Sequence, residues 1–246
     1  MPTPIPSQTT IDEIDISGPN DSQGQNMTDV RAVIFDVDGV LIDSYNAHFE
    51  SWQRLAAENG LTMSEAEFAR DFGRTSREII ADLWPSAAES EARVAEMDDR
   101  KEALYREIIE ADFPAMAGAV ELIDALDAAG FLLGVGSSGP PENVALTLAR
   151  LNRQDRFGSV VTGADVTAGK PNPEVFLTAA GRLGVSPACC AVIEDAAAGI
   201  TAANAAGMQS IGLVSRGRRR EALSAAHRIV DRLDELSAAS IAELIG

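Results

Sequence analysis

Hydrophobic and polar positions follow three different patterns along the chain. Residues 32–35 form a short, continuous apolar run, which is typical of a central parallel strand buried on both faces. Between residues 44 and 115, apolar residues recur at helical spacing, and no segment has the character of a strand. From residue 118 onward, helical segments alternate with short apolar runs, as repeated βα units do. The pattern predicts an α/β protein, with a doubly wound parallel sheet and an inserted all-α unit.

The same pattern predicts the domain organisation. Residues 1–26 are rich in Pro, Ser, Thr, Gln and Asn without sustained periodicity, and we expect a disordered tail there. We expect residues 27–43 and 116–246 to form the α/β core, and residues 44–115 to form a helical cap. The cap helices are predicted at 47–59, 64–72, 76–84 and 90–111. Further strands are predicted at 131–136, 159–162, 191–193, 210–214 and 229–230.

The charge of the chain narrows its possible partners. A formal net charge of −18 and a pI near 4.4 argue against nucleic acid and against an anionic membrane surface, because both require a basic face. The same charge repels a phosphorylated substrate, so a site for one needs a metal ion or local positive charge. Lysine is rare, since Lys101 and Lys170 stand against eighteen arginines.

Cysteine usage and hydropathy predict the compartment. The two cysteines, Cys189 and Cys190, are adjacent, a spacing that rarely forms a good disulfide, so we expect buried thiols in a reducing environment. No apolar run in the sequence is long enough to span a bilayer. The first residues also lack the basic and apolar regions of a signal peptide. We therefore expect a cytoplasmic protein with no membrane partner.

Two aspartates follow the first predicted strand. Asp36 and Asp38 emerge at the carboxyl end of that strand, where ligands of open α/β sheets bind. Strand alternation places both carboxylates on one side, close enough to repel each other, so a nearby cation or a retained proton is required. A polar turn that closes the strand is the alternative, because Asp and Gly are common in turns.

Three further predicted strands are followed by polar residues that could bind a phosphate or a metal ion. Ser137 and Ser138 stand among glycines before a predicted helix, where they would hold a phosphate or form an ordinary turn. Lys170 follows the third strand, where its ammonium would meet a phosphoryl oxygen or crowded carboxylates, or lie in solvent. Glu194 and Asp195 end an apolar strand, where they would ligate Mg²⁺ or cap the next helix.

Taken in order, these motifs resemble those of a known superfamily. Asp36-x-Asp38-Gly39, Ser137, Lys170-Pro171 and Glu194-Asp195 are similar to the four motifs of the haloacid dehalogenase superfamily. The all-α insert directly after the first strand resembles the helical cap of its β-phosphoglucomutase and phosphatase subfamily. The resemblance covers residues 30 to about 236. It implies a Rossmann-like parallel core and phosphoryl transfer.

The resemblance also implies roles for individual residues. Asp36 would be the nucleophile that forms an aspartyl-phosphate, and Asp38 would be the general acid and base. Mg²⁺ would bind the carboxylates of Asp36 and Asp195 and the backbone carbonyl of Asp38, with Glu194 ligating or supporting it. The residues expected to hold the phosphoryl oxygens are Ser137, Ser138 and Lys170. Metal and lysine together would reverse the local field of this acidic protein.

Four cap residues are expected to meet the substrate or to position the general acid. His48, in the hinge region, matches a histidine that helps to position the general acid in β-phosphoglucomutases, with packing in a helix as the alternative. Ser76 and Arg77, together with Arg74, match residues that grip the non-reacting phosphate there, with a surface charge as the alternative for Arg77. In contrast, Pro140 and Pro141 replace the Lys-Asn pair of the mutases.

Other charged residues receive no role from the sequence. Lys101 falls in a long, strongly charged helix and is expected at the surface, which disfavours a Schiff-base mechanism. His227 and the arginines between residues 216 and 220 are expected to form a solvated face.

The sequence therefore predicts a Mg²⁺-dependent phosphatase that acts on a small phosphorylated metabolite, such as a sugar phosphate, through an aspartyl-phosphate. A β-phosphoglucomutase-like phosphotransferase is the first alternative, and a non-catalytic binding module on the same fold is the second. Monomer and homodimer are both compatible with the sequence.

Overall fold

A computed structural model describes residues 30–246, so the predicted tail at 1–26 lies outside the described residues. Six parallel strands form one sheet: β1 (Ala32–Phe35), β2 (Leu132–Gly136), β3 (Phe157–Val161), β4 (Cys190–Glu194), β5 (Gln209–Leu213) and β6 (Arg228–Val230). Their order is β3-β2-β1-β4-β5-β6, so the order changes direction beside β1. The carboxyl ends of β1, β2 and β4 therefore flank a topological switch point, where ligands bind in sheets of this kind.

Nine α-helices accompany the sheet in the described part of the chain. Four form the cap after β1: α1 (Tyr45–Glu58), α2 (Glu65–Asp71), α3 (Ser76–Leu83) and α4 (Glu91–Ala111). The other five belong to the α/β core: α5 (Ala119–Ala128), which precedes β2, α6 (Pro141–Leu151), α7 (Glu174–Leu183), α8 (Ala197–Ala205) and α9 (Ala238–Ile245). The predicted fold class, a parallel α/β sheet with an all-helical cap after its first strand, is confirmed. Helix α9 was not predicted.

The packing of β1 explains why its residues do not alternate between apolar and polar. Val33 and Phe35 belong to the hydrophobic cluster on one face of the sheet, which includes residues of α5, α6 and α9. Ala32 and Ile34 belong to the cluster on the opposite face, with residues of α7 and α8. All four side chains are completely buried. Because both faces are covered, each position of β1 favours an apolar residue.

The helical cap has a hydrophobic core of its own. Its largest fully buried side chains include Phe68 and Ile80, which pack with Trp52 and Met97. Helices α2 and α3 both begin with a capping box, and the one on α3 joins Thr75 and Glu78 as their spacing predicts. Each capping box contributes roughly 1 kcal/mol to the stability of the helix that it begins.

Helix α4 is the longest element and connects the cap to the core. It spans 21 residues and packs against α1 within the cap and against α6 of the core. It carries many charged residues along its length. Within residues 30–246, no helix combines the length and the apolar character that crossing a membrane requires.

Candidate active site

Three carboxylates meet at the carboxyl edge of the sheet. Phe35 pairs in register with Ile193, so Asp36 and Glu194 leave neighbouring strands at the same level, and Asp195 follows. One oxygen from each of these three carboxylates lies within 4.8 Å of the others. All three side chains are buried. The strand pairing therefore gathers residues that are about 160 positions apart in sequence into one acidic cluster.

Lys170 lies between two of these carboxylates. Its Nζ atom is 2.6 Å from Oδ1 of Asp36 and 2.7 Å from Oε1 of Glu194. Burial by itself would lower the pKa of Lys170, but the two carboxylates outweigh it and raise the pKa above its ordinary value. The ammonium also lies 4.8 Å from the ring centroid of Phe176. Lys170 is therefore held as a cation inside the cluster.

The acidic cluster is crowded enough to hold protons in the absence of another cation. Burial raises the pKa of Asp36 well above its usual range, and Glu194 and Asp195 raise it further against the opposing effect of Lys170. Burial likewise raises the pKa of Asp195 to about 6, although the guanidinium of Arg218 opposes the shift. A cation that replaced these protons would relieve the repulsion.

The donor atoms suit a hard divalent cation such as Mg²⁺. Carboxylate oxygens are its preferred protein ligands, and these lie close enough together to share one ion. Glu194 is already engaged at both oxygens, because Oε1 accepts from Lys170 and Oε2 accepts from the backbone N–H of Ala196 at 2.7 Å. Asp36 and Asp195 would therefore be the direct ligands, with Glu194 in a supporting position.

Gly39, which follows β1, leaves room for the carboxylate of Asp195 in the acidic cluster. Gly39 adopts a φ of 77°, a left-handed conformation that favours glycine. A Cβ atom at this position would lie 2.0 Å from Oδ2 of Asp195. The glycine of the Asp-x-Asp-Gly motif is therefore required both by its backbone conformation and by the close approach of Asp195.

Two cap residues hold the carboxylate of Asp38. Its Oδ1 atom accepts hydrogen bonds from Nε2 of His48 at 3.1 Å and from the hydroxyl of Tyr105 at 3.0 Å. The rings of His48 and Tyr105 are stacked, with centroids 4.1 Å apart. Burial opposes ionisation of Asp38, but the hydrogen bonds outweigh it and hold the pKa below its usual range. In this arrangement Asp38 is a carboxylate.

Lys101 contradicts the prediction that it lies at the surface. Its side chain is 4% exposed. The Nζ atom lies 3.0 Å from Nδ1 of His48 and 2.8 Å from Oε1 of Glu102. It also lies 5.7 Å from the ring centroid of Trp52 and 5.6 Å from that of Tyr105, within the range of cation–π contacts. The surface prediction was wrong because Lys101 lies on the buried face of α4, at helical spacing from Met97 and Tyr105. That spacing and the scarcity of lysine were the sequence signals that pointed to it.

Several polar partners of this network were missed from the sequence. Glu102 accepts hydrogen bonds from Nδ2 of Asn143 at 2.7 Å and from the hydroxyl of Ser76 at 3.1 Å. Arg106 donates to Oδ1 of the same asparagine at 2.8 Å. Asn143 belongs to the core, whereas Glu102 and Arg106 belong to the cap. Polar residues one turn apart on α4 were the available signal, but their partner lies on another element.

The two predicted serines have different environments. Ser137 follows β2 and is buried, and its Oγ atom accepts from the backbone N–H of Gly139 at 3.0 Å. Ser138 is exposed. Both lie at the carboxyl edge of the sheet before α6, so the loop faces the same side as Asp36. Their phosphate-binding role stays a prediction.

The two cap arginines are paired with acids of the cap. Arg74 contacts Asp71 at 3.2 Å and Asp82 at 2.5 Å. The Nε atom of Arg77 lies 2.9 Å from Oδ2 of Asp98, and both arginines are exposed. Within residues 30–246, neither arginine forms an ion pair with the carboxylate cluster. Their proposed grip on a second phosphate stays a prediction.

Arg218 contradicts the prediction of a solvated arginine face. Its side chain is 19% exposed, and its Nε atom lies 3.3 Å from Oδ2 of Asp195. The stretch of arginines gave no signal that this one turns toward the carboxylates while Arg216, Arg219 and Arg220 remain exposed. His227 is exposed as expected.

Comparison with known proteins agrees with this fold. A sequence model of the haloacid dehalogenase-like hydrolases matches residues 30–207. The β-phosphoglucomutase of Bacillus subtilis (strain 168) is 35% identical over 190 residues, which cover 75% of this chain and 83% of that protein. Validoxylamine A 7'-phosphate phosphatase of Streptomyces hygroscopicus subsp. limoneus is 34% identical over 211 residues, which cover 84% and 95%. A crystal structure of β-phosphoglucomutase from Clostridium difficile aligns with a TM-score of 0.77 at 28% identity, covering 88% of this chain and 97% of that one.

The parallel sheet, its helical cap and these relatives define an enzyme of the phosphatase and phosphomutase type. The chain belongs to the haloacid dehalogenase-like hydrolases, and within them to the β-phosphoglucomutase and phosphatase-like group. The resemblance found in the sequence is thereby confirmed.

Proposed function

We propose that this chain is a Mg²⁺-dependent phosphatase that hydrolyses a small phosphorylated metabolite, a sugar phosphate, through an aspartyl-phosphate on Asp36. The observation that carries the proposal is the cluster of buried carboxylates around Lys170, with Asp38 held beside it by His48. The relatives support it, because they include a β-phosphoglucomutase, a validoxylamine A 7'-phosphate phosphatase and a hexitol phosphatase.

The metal site would consist of Asp36 and Asp195, with the backbone carbonyl of Asp38 and with Glu194 in support. When bound there, Mg²⁺ would supply positive charge to the phosphoryl oxygens and offset their repulsion by the Asp36 carboxylate. Lys170, already beside Asp36 at 2.6 Å, would hold a phosphoryl oxygen together with Ser137 and Ser138.

In the first step, a carboxylate oxygen of Asp36 attacks phosphorus, and the bond from phosphorus to the leaving oxygen breaks. Asp38 gives its proton to that oxygen, so the metabolite leaves as a neutral alcohol. In the second step, Asp38 takes a proton from water as the water oxygen attacks the phosphorus of the aspartyl-phosphate. This step releases inorganic phosphate and restores the carboxylate of Asp36.

Asp38 must gain a proton before it can act as the acid, because His48 and Tyr105 stabilise its carboxylate in the substrate-free chain. A phosphate monoester at Asp36 brings negative charge close to Asp38 and raises the pKa of its carboxyl. Substrate binding and proton uptake are therefore linked. The cap would close over the bound substrate and limit the access of bulk water.

A β-phosphoglucomutase-like transfer is the second candidate, favoured by the 35% identity to such an enzyme. Transfer requires a firm grip on a second phosphate. The arginines expected to supply it, Arg74 and Arg77, are paired with Asp82 and Asp98. Pro140 and Pro141 also occupy the positions of the Lys-Asn pair of the mutases. These features favour water as the acceptor.

A two-part assay tests the proposal. Phosphate release is measured over a panel of sugar phosphates and nucleotides, with Mg²⁺ or with EDTA, for the wild type and for Asp36→Asn. We expect Mg²⁺-dependent release that Asp36→Asn abolishes while the circular dichroism spectrum is retained. Isomerisation of β-glucose 1-phosphate, with and without the 1,6-bisphosphate, is measured in parallel. Faster isomerisation than release would favour the mutase, and activity retained in Asp36→Asn would show that the nucleophile is another residue.

A further inference from the structure

One guanidinium joins the carboxylate cluster to the helical cap. Arg218 lies in the loop after β5, and its Nε atom is 3.3 Å from Oδ2 of Asp195 in the core. Its Nη1 atom donates to the backbone carbonyl of Phe72, at the end of α2 in the cap, at 3.1 Å. Phe72 and Arg218 are 146 positions apart in the sequence. The same side chain therefore contacts a proposed metal ligand and the cap.

The cap side of this contact is closely fitted. The guanidinium carbon of Arg218 lies 4.4 Å from the ring centroid of Phe72, in the geometry of a cation–π contact. A Cβ atom at Gly73 would lie 3.3 Å from both Nη1 and Nη2 of Arg218. Phe72 also packs against Tyr45 and His48, with ring centroids 5.1 Å and 6.3 Å apart. Arg218 therefore contacts the same cap residue, Phe72, that packs against His48.

In the core, two hydrogen-bond donors hold one carboxylate oxygen of Asp195. Oδ2 accepts from Nε of Arg218 and from the hydroxyl of Ser215 at 2.6 Å. Within residues 30–246, no hydrogen bond occupies Oδ1 of Asp195, so that atom is left for a cation. Partners that orient a metal ligand in this way commonly control metal affinity, although they never touch the ion.

We infer that Arg218 is a positioning residue that couples the cap to the metal site. It orients Asp195 so that Oδ1 faces the cation, and with the same guanidinium it holds the turn formed by Phe72 and Gly73 against the core. The inference rests on the Mg²⁺ site of the proposed function. By linkage, whatever loosens the Phe72 contact also weakens Mg²⁺ binding, and the reverse holds equally.

The test uses Arg218→Lys in the full chain. Lysine keeps the charge but lacks the planar fork that reaches both partners, so the variant separates geometry from charge. We expect Mg²⁺ affinity, measured by isothermal titration calorimetry with Mg²⁺ alone, to fall about 10-fold. We also expect faster hydrogen exchange of the amides of residues 71–75. Arg219→Lys is the matched control, since Arg219 is exposed in the same loop, and it should change neither quantity.

A second variant tests the coupling from the cap side. Phe72→Leu removes the ring beneath Arg218 without touching any carboxylate of the cluster. We expect it to lower Mg²⁺ affinity by about 3-fold and to speed exchange at residues 71–75, in line with the reciprocity of linkage. A purely structural role for Phe72 would lower the melting temperature and leave the Mg²⁺ affinity of the folded protein unchanged, which would overturn the inference.

The remaining outcomes separate this inference from the proposed function. Equal Mg²⁺ affinity in wild type and Arg218→Lys overturns the inference alone. A change in only one of the two readouts for Arg218→Lys also overturns it, because the arginine would then serve one partner and not both. If the wild type binds no Mg²⁺, the proposed function fails together with the inference.

Discussion

The Nζ atom of Lys101 lies 3.0 Å from Nδ1 of His48, and this contact decides which ring nitrogen of the histidine carries a proton. An ammonium group donates hydrogen bonds and accepts none, so Nδ1 must be the acceptor. Nε2 therefore carries the proton and donates to Oδ1 of Asp38, 3.1 Å away. A lysine on the cap thus orients the histidine that donates a hydrogen bond to the proposed acid and base.

Replacing Lys101 should impair the chemistry of Asp38 more than the attack by Asp36. In Lys101→Met, Nδ1 of His48 loses its donor, so the ring that donates to Asp38 is no longer held in place from its other side. We expect kcat/KM to fall about 10-fold or more for a sugar phosphate, whose leaving alkoxide needs a proton, and less for an aryl phosphate. Steady-state kinetics on both substrates check this.

The neighbouring Arg100 supplies the control for that experiment. Its side chain is 42% exposed and pairs with Glu58 and Glu107, so Arg100→Met removes one charge from the same helix without reaching His48. Equal losses on the two substrates in Lys101→Met would contradict a role through Asp38.

Replacing Asp38 itself should also impair the hydrolysis of sugar phosphates more than that of aryl phosphates, and by a larger factor than Lys101→Met. We expect Asp38→Asn to lose roughly 10²–10⁴-fold in kcat toward sugar phosphates, the usual contribution of general acid catalysis. Aryl phosphates, whose leaving groups need little protonation, should lose less. The comparison is made at saturating Mg²⁺, and a uniform loss across leaving groups would remove Asp38 from the acid role.

The raised pKa of Asp195 predicts a specific pH dependence of stability in EDTA. Because its folded-state pKa, about 6, exceeds the unfolded value of 3.8, the protonated side chain stabilises the fold below about pH 4. That stabilisation is lost as the pH rises through about 6. The difference in unfolding free energy between wild type and Asp195→Asn should fall by about 2–3 kcal/mol over this window.

Urea unfolding at several pH values measures that difference in stability. Asp195→Asn is the reference because it lacks the titrating group. The titrations of groups remote from the cluster are shared by both proteins and cancel, whereas the measured difference includes the change that Asp195 causes in the titration of Asp36. A difference that stays constant from pH 4 to pH 7 would show that Asp195 is not destabilised by burial. Added Mg²⁺ should stabilise the wild type at pH 7.5 more than at pH 5, because the ion replaces a proton.

Gly39 should tolerate no side chain. A left-handed conformation costs alanine about 1–2 kcal/mol, and the added Cβ would also meet Oδ2 of Asp195 at 2.0 Å. Gly60 has a similar φ of 67° with no atom within 4 Å of the corresponding position. Gly39→Ala should therefore destabilise the protein by about 1–3 kcal/mol more than Gly60→Ala in chemical unfolding. Equal effects would mean that backbone conformation alone requires the glycine.

The sheet and the acidic cluster were predictable from the sequence for a local reason. An unbroken apolar run marks a strand covered on both faces, and polar residues directly after such runs mark the carboxyl ends of parallel strands. Those ends meet at one edge whatever the details of packing, so Asp36, Glu194 and Asp195 could be placed together before any coordinates. Lys170 lies nine residues after the end of β3, and only the family resemblance placed it in the site. Helix α9 was missed because its short apolar stretch follows the last predicted strand without a clear signal.

Only the tertiary structure determined which side chains far apart in the sequence contact one another. Lys101 reaches His48 across 53 positions, Tyr105 reaches Asp38 across 67, and Arg218 reaches Phe72 across 146. Helical periodicity can place Lys101 and Tyr105 on the buried face of α4, but it does not identify the partner that either one meets. Arg218 lies among other arginines, and nothing in that stretch distinguishes it. Which partner each residue meets depends on how the cap packs against the core. That packing is set by the shapes of two hydrophobic cores, and the order of residues along either one does not specify it.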